Sequence, residues 1–244
     1  MKGRGRAFLR LLAVQGAWSY ERMTGIGMGY AAEPLLSDLE AESPERHREA
    51  TARSAEYFNC HPYLAGLALG ATVRAEHEGV PGAQIQRLRT ALCSPLGALG
   101  DQVFWAGLVP IIMSLALVAI ALGGGGIVLA VALVAYNVVR VLVSRLALST
   151  GLGTGMQVGT AISGSGLPRT AARIAAPAGF VAGLAVPLVG AWLLAWVAPH
   201  TTVVAIASAL AALALFRWGG SRWTSPRVAL LFAVVAFLWT RVVP

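Results

Sequence analysis

Charged residues are scarce in this chain of 244 amino acids. They make up 12% of it, about half the share found in soluble domains, while 57% of the residues are hydrophobic and the mean hydropathy is +0.68. So apolar a composition excludes an ordinary water-soluble enzyme and a disordered chain. The apolar stretches are continuous rather than alternating, which excludes an outer-membrane barrel. The class that remains is a helical membrane protein.

Acidic residues are missing from the second part of the chain. All eleven Asp and Glu residues fall in residues 1–101, with eleven of the nineteen Lys and Arg residues, whereas residues 102–244 hold eight arginines and no acid. We therefore divide the chain into a cytoplasmic-side region of interfacial and re-entrant helices, 1–101, and a transmembrane region, 102–244. The later arginines flank apolar segments, so they indicate the membrane surface and the positive-inside rule, not nucleic acid.

Cysteine is nearly absent as well. Cys60 and Cys93 are too few for a disulfide framework or a four-ligand zinc site, and adding His61 gives only three candidate ligands. We predict no metal site, no cofactor and no catalytic residue.

Long hydrophobic runs are abundant in the second region. The first three are long enough to cross a bilayer core of about 30 Å, and the last two are shorter. We predict an all-α membrane protein in which N-terminal interfacial or re-entrant helices precede about five transmembrane helices. The five segments are 103–122, 127–148, 174–198, 202–216 and 228–243.

The charges in the connections orient these segments. Arg169 and Arg173 lie between the second and third segments, and three more arginines lie between the fourth and fifth. The connections 123–126 and 199–201 hold no Lys or Arg, and the first of them, four glycines, predicts a tight exterior turn. The positive-inside rule then places the N-terminus in the cytoplasm.

Two helices are predicted within the first region. Residues 7–18 have a basic end and an apolar side, typical of an interfacial helix that faces anionic lipid. The sequence Ser-Pro-Glu at 43–45 predicts a helix start with proline at the first helical position. We expect that helix to continue through Glu56, with its charges forming a solvated face.

Four short motifs place polar residues in apolar surroundings. They are residues 15–23 (QGAWSYERM), 56–63 (EYFNCHPY), 94–105 (SPLGALGDQVFW) and 136–140 (YNVVR). In this order they resemble the enzyme IID component of the mannose/fructose/sorbose family of bacterial sugar phosphotransferase systems. The resemblance covers residues 8–160, while the C-terminal third shares only its hydrophobic character.

The resemblance implies a role and partners. In that family IID pairs with a IIC membrane subunit, and the pair forms the sugar-translocating unit. A soluble IIB carries the phosphohistidine and phosphorylates a hexose or amino sugar on entry, while IID itself is not phosphorylated. The resemblance also implies a multi-pass protein of the bacterial cytoplasmic (inner) membrane and a trimer of IIC–IID heterodimers.

Sugar hydroxyls need paired hydrogen-bond donors and acceptors, and the apolar face of a sugar suits an aromatic ring. The candidate substrate-binding residues within the motifs are Gln15, Trp18, Glu21, Asn59, His61, Asp101 and Trp105.

Several of these residues also have a structural interpretation. Asp101 either caps a helix that starts near Gln102 or faces a polar cavity. Glu21 forms an ion pair with Arg22, or it binds substrate. Asn59 satisfies backbone groups ahead of Pro62, or it binds substrate.

Two further residues carry expectations of their own. His61 is expected to be buried and hydrogen-bonded rather than a phosphoryl acceptor. Arg140, in mid-segment, is expected to pair across a helix interface or to lie near the cytoplasmic end of its segment, rather than to contact a ligand.

The motifs depart from the family pattern at several positions. Cys60 stands where Thr is usual, Gln102 where Pro is usual, and Ala17 and Ser19 replace Ser and Asn. These departures support a second hypothesis, a non-transporting membrane interaction or regulatory subunit derived from such a transporter.

A third hypothesis is an intramembrane hydrolase that uses Ser165 and His200. The predicted topology puts these two residues on opposite sides of the membrane, so they could not meet.

Overall fold

The structure, a computed structural model, describes residues 2–197, with side chains up to residue 193. Within that range it is helical and contains no strand, only two isolated β-bridges. The helices are α1 Arg4–Leu12, α2 Gly25–Glu42, α3 Pro44–Ser54, α4 Ala65–His77, α5 Gly82–Gly100, α6 Val109–Ala121, α7 Ile127–Thr154, α8 Val158–Gly164 and α9 Leu167–Val197.

Helix α4 is the centre of the core. It is built almost wholly from small and aliphatic residues, and nearly every one of them is buried. It packs along α7 and against α2 and α5. This helix is therefore enclosed by other helices.

Glycines allow α4 and α7 to approach closely. A Cβ atom added at Gly151 would lie 2.3 Å from the carbonyl oxygen of Leu67, and one added at Gly70 would lie 2.4 Å from the backbone nitrogen of Leu152. Real Cβ atoms do not approach other atoms so closely, so any larger residue at these positions forces the two helices apart.

Helix α3 begins as the sequence predicts. The Ser43 hydroxyl accepts a hydrogen bond from the backbone N–H of Arg46, and Pro44 occupies the first turn. The helix ends at Ser54, two residues earlier than predicted.

The solvated charged face predicted for α3 is only partly correct. Arg53 forms a bidentate ion pair with Glu76 of α4, whose side chain is 9% exposed, and Arg46 donates to the Glu76 carbonyl oxygen. The hydrogen bond to Glu76 raises the pKa of Arg53. These contacts hold α3 against the core.

A single helical run joins α5 to α6. The residues Asp101–Leu108 between them form a π-helical segment with no break in the helix. The prediction that Asp101 caps a new helix is therefore wrong, since Asp101 lies inside the run and its side chain is exposed. Wide π-helical turns often occur at functional sites.

The N-terminal helix is shorter than predicted. Helix α1 ends at Leu12, a 3₁₀ turn follows over Val14–Ala17, and Trp18 is already extended. Ala7 and Leu11 are buried because α1 packs on α2 and α7. The interfacial prediction for residues 7–18 is thus corrected, since part of the apolar side contacts protein.

Within the described residues, two helical runs are long and apolar enough to cross a membrane, Gly82–Ala121 and Ile127–Leu193. They contain the second predicted span and overlap the first and third, and a turn at 122–126 separates the first from the second as expected. The fourth and fifth predicted spans lie outside the described residues. A boundary between compact units falls after Ala182, beyond which residues 183–197 are described as helical. The division at residue 101 stays a prediction.

Candidate functional site

The four sequence motifs come together in space around residues 61–63. His61, Tyr63, Phe104, Trp105 and Tyr136 form a group of contacting rings, which we call the aromatic cluster. The first two residues belong to the second motif, the next two to the third, and Tyr136 to the fourth. Segments far apart in sequence thus build one structure.

His61 is at the centre of the aromatic cluster and only 2% exposed. Its ring stacks on Phe104 with centroids 4.8 Å apart and lies 5.1 Å from the ring of Trp105. The ring nitrogen Nδ1 accepts a hydrogen bond from the backbone N–H of Tyr63 at 3.3 Å. Burial lowers the pKa of His61 to about 4, so the ring is neutral at neutral pH. A buried, hydrogen-bonded histidine is what the sequence predicted.

One ring nitrogen of His61 lacks a hydrogen-bond partner in the described structure. Its Nε2 atom is buried and has no hydrogen-bond partner among residues 2–197. An unpaired buried polar atom is destabilising, so such atoms are uncommon and frequently mark a site that something else completes.

Gly100 brings the third motif up to His61. A Cβ atom at Gly100 would lie 2.1 Å from the Cβ atom of His61. Only glycine therefore lets α5 lie directly against the second motif. The π-helical segment that follows then places Phe104 and Trp105 on the imidazole ring.

The fourth motif joins the cluster through two side chains of α7. The hydroxyl groups of Tyr136 and Tyr63 form a hydrogen bond of 2.8 Å. Arg140 lies 5.5 Å above the Tyr63 ring and donates to the carbonyl oxygen of Leu12 at the C-terminal end of α1. A cation there satisfies a free helix carbonyl and the helix dipole. The prediction that Arg140 pairs across a helix interface is confirmed.

The first motif lies alongside the second. Met23 forms β-bridges with both Ser19 and Phe58, and the Thr24 hydroxyl donates to the Phe58 carbonyl oxygen at 2.7 Å. The turn 19–23 is therefore fixed beside the residues that lead into Asn59 and His61. This short pairing explains how a helix-poor stretch holds a defined position.

Six of the seven candidate substrate-binding residues have exposed side chains. They are Gln15, Trp18, Glu21, Asn59, Asp101 and Trp105. Trp105 contacts the rings of His61 and Tyr63, and Gln15 lines a cavity of about 100 Å³ together with Tyr63 and Arg140. Trp18 instead contacts Tyr20, with ring centroids 4.8 Å apart.

Three of these exposed polar side chains have no partner within the described part of the chain and could bind a ligand. Within the described part of the chain, Glu21, Asn59 and Asp101 have no side-chain hydrogen bond and no ion pair. The alternative of an ion pair between Glu21 and Arg22 is not found there, because Arg22 donates to the Ala55 carbonyl oxygen at 3.4 Å. The backbone role proposed for Asn59 is not found either.

Several members of the site were not predicted from the sequence. Tyr63, Phe104 and Tyr136 lie within the four motifs, but their roles depend on contacts between distant parts of the chain. One signal was available for Tyr136: a polar aromatic residue close to an arginine inside an apolar segment indicates an inward-facing position.

The other potentially reactive side chains named in the sequence analysis are Cys60 and Ser165, together with candidate metal ligands. Burial raises the pKa of the Cys60 thiol, which keeps it protonated. No three His, Cys, Asp or Glu side chains between residues 2 and 197 are grouped to hold a metal ion. Ser165 donates its hydroxyl to the Ile162 carbonyl oxygen, and His200 lies outside the described residues.

Comparison with known proteins decides the family. A family model described as "PTS system mannose/fructose/sorbose family IID component" matches residues 2–216. The chain belongs to this family. It is a membrane protein of the sugar-transporting phosphotransferase systems, as the four motifs predicted.

Curated relatives of this IID component include three with different names. The "PTS system mannose-specific EIID component" of Escherichia coli K12 is 29% identical over 62% of this chain and 55% of its own length. The "Fructose permease IID component" of Bacillus subtilis is 31% identical over 48% and 44%. The "PTS system sorbose-specific EIID component" of Klebsiella pneumoniae is 26% identical over 65% and 59%. The chain spans about half the length of the curated relatives it matches.

Solved structures support the fold. One titled "Structure of membrane protein" aligns with a TM-score of 0.72 at 22% identity, over 97% of this chain and 94% of the other. The "CryoEM Structure of Mannose Transporter ManYZ and Microcin E492 (MceA) complex" aligns with a TM-score of 0.59 at 22% identity, over 97% and 92%. At this identity the likeness shows a shared helical membrane fold.

Proposed function

We propose that this IID component pairs with a IIC membrane subunit and that the pair translocates a hexose or amino sugar. A soluble IIB phosphocarrier then phosphorylates the sugar as it enters. The observation that carries the proposal is the convergence of the four motifs on one aromatic cluster with exposed polar side chains around it.

The exposed polar and aromatic side chains of the motifs suit a sugar. Carboxylate and amide groups of Glu21, Asn59 and Asp101 supply acceptors and donors for hydroxyls without an internal partner to displace. Trp105, 46% exposed and held by His61 behind it, offers a ring face for the apolar side of a pyranose. Trp18 offers a second exposed ring, and Gln15 lines the small cavity beside Tyr63.

His61 supports the cluster in this proposal and carries no phosphoryl group. A phosphoryl acceptor must be reached by a soluble donor, and His61 is buried between Phe104, Trp105 and Tyr63. The family resemblance implies that the phosphohistidine belongs to IIB instead.

We place the protein in the bacterial inner membrane as a multi-pass subunit with its N-terminus in the cytoplasm. The charge asymmetry of the connections supports this orientation. The assembly proposed is a trimer of IIC–IID heterodimers, in contact with membrane lipid.

The test is purification of the full chain with its presumed IIC, followed by binding measurements with mannose, fructose, sorbose, glucosamine and N-acetylgalactosamine. We expect a stable complex that binds one of these sugars. Glu21→Ala and Asn59→Ala should each weaken binding at least tenfold. The matched control Glu45→Ala removes an exposed carboxylate on α3, away from the motifs, and should leave binding unchanged.

Other outcomes have defined meanings. A stable complex that binds none of the sugars would favour the non-transporting regulatory subunit, to which the departures at Cys60 and Gln102 point. Failure to form any complex with IIC would overturn the proposal.

A further inference from the structure

A second cavity lies between helices α1 and α7. Its volume is about 530 Å³, and it combines an apolar surface with two cationic side chains. The lining includes Arg4, Phe8, Leu9, Arg145, Leu148 and Leu152. None of these residues belongs to the candidate sugar site.

Among the described residues, the two arginines of this cavity have no protein partner. Neither Arg4 nor Arg145 forms a hydrogen bond or an ion pair within residues 2–197, whereas Arg10 on the same helix α1 pairs with Glu33. No acidic residue follows Asp101 in the sequence, so no carboxylate from the second region is available to either. Two adjacent unpaired cations favour an anion from outside the protein.

The position of Arg145 along α7 indicates a membrane depth. Helix α7 begins at Ile127, directly after the glycine turn. At about 1.5 Å per residue, Arg145 lies roughly 27 Å further along the helix, close to the thickness of the hydrocarbon core. If the turn lies at one membrane surface, Arg145 lies at the headgroup level of the other.

Most of the other residues that line the cavity are apolar. Leu9 is 65% exposed, and Leu148 and Leu152 form the wall contributed by α7. Gly5 leaves open space on the α1 side, since a Cβ atom there would meet nothing within 4 Å. An anionic group bound to the arginines would therefore have apolar surface directly beside it.

We infer that this cavity binds one anionic phospholipid. The phosphate of its headgroup lies between Arg4 and Arg145, and an acyl chain lies along Phe8, Leu9 and Leu152. Basic pockets beside membrane helices recognise anionic headgroups in this way, and the apolar wall distinguishes a lipid from a free phosphate ion. The inference depends on neither the sugar nor the IIC partner.

Native mass spectrometry of the detergent-purified full chain tests the site. Phosphatidylglycerol and phosphatidylcholine with identical acyl chains are titrated separately. We expect phosphatidylglycerol to bind at least tenfold more tightly. Arg4→Gln and Arg145→Gln should each weaken its binding about fivefold, as expected for loss of one cation near a headgroup. Arg6→Gln, which removes the same charge from the same helix outside the cavity, is the matched control.

A second variant changes the shape of the cavity without changing its charge. Gly5→Leu keeps every arginine, favours the helix and fills the open space, so it should weaken phosphatidylglycerol binding while preserving the melting temperature. Equal losses from Arg6→Gln and Arg4→Gln would show a diffuse basic surface and overturn the inference. Equal binding of both lipids, or displacement by millimolar inorganic phosphate, would overturn it as well.

Discussion

The hydroxyl groups of Tyr63 and Tyr136 lie 2.8 Å apart, although 73 residues separate them in the sequence. This hydrogen bond joins the second motif to the fourth, and Arg140 beside it ties α7 to the end of α1. The candidate sugar site is therefore assembled from loops and helices that only the folded chain brings together.

Removal of one of these hydroxyls tests the connection. Tyr136→Phe should lower the free energy of unfolding by about 1 kcal/mol, because the Tyr63 hydroxyl loses its partner in a partly buried place. Thermal unfolding in detergent measures the effect. Tyr57→Phe is the control, since Tyr57 is 51% exposed. In a double-mutant cycle, Tyr63→Phe and Tyr136→Phe should not be additive, and additivity would argue against the bond.

The contact of Gly100 with His61 gives a steric prediction. Gly100→Ala should destabilise the protein by about 1–3 kcal/mol and weaken sugar binding, because the new methyl group displaces His61 and with it Trp105. Gly97→Ala is a matched control on the same helix, where the nearest atom to an added Cβ is 4.0 Å away. Similar melting temperatures for the two variants would contradict the close approach.

The crossing of α4 and α7 gives a second matched pair. Gly151→Ala should destabilise the protein by about 1–3 kcal/mol, since its methyl group would collide with the Leu67 carbonyl oxygen. Gly153→Ala lies two residues away in open space and should be neutral or slightly stabilising. Melting curves of the two purified variants decide the question, and a reversed order would place the helices further apart than described.

Burial of His61 predicts a pH dependence. Its folded pKa of about 4 lies below the value of about 6.5 for an unfolded chain. Between these values the unfolded state binds a proton that the folded state does not, so stability falls as pH is lowered from 6.5 to 4. We expect this residue to account for a loss on the order of 2 kcal/mol.

The variant His61→Gln should lack this part of the pH dependence, while His47→Gln on α3 should retain it. Melting temperatures measured from pH 7 to pH 4 provide the comparison. An unchanged pH profile in His61→Gln would show that the imidazole is accessible to protons in the folded protein.

Features that depend on neighbouring residues or on composition could be predicted from the sequence. The start of α3 followed from Ser43 and Pro44, because a cap depends only on residues within one turn. The helical membrane class followed from long apolar runs, and the family from four motifs in order. Arg140 was recognised because an isolated charge in an apolar helix needs a partner.

Features that depend on contacts between distant residues could not be predicted from the sequence. A helix cap was one interpretation of Asp101, yet the helix continues through Asp101, and Gly100 beside it packs against His61. The solvated face predicted for α3 failed at Arg53, whose partner Glu76 lies 23 residues away. In both cases tertiary packing overrode a local signal.

Whether the four motifs bind sugar can be decided by a cryo-electron microscopy structure of the full chain in complex with IIC and its sugar. We expect sugar density within about 3 Å of Glu21 or Asn59, with one face of the sugar on Trp105 or Trp18. Sugar density enclosed only by residues of the IIC subunit would contradict this expectation.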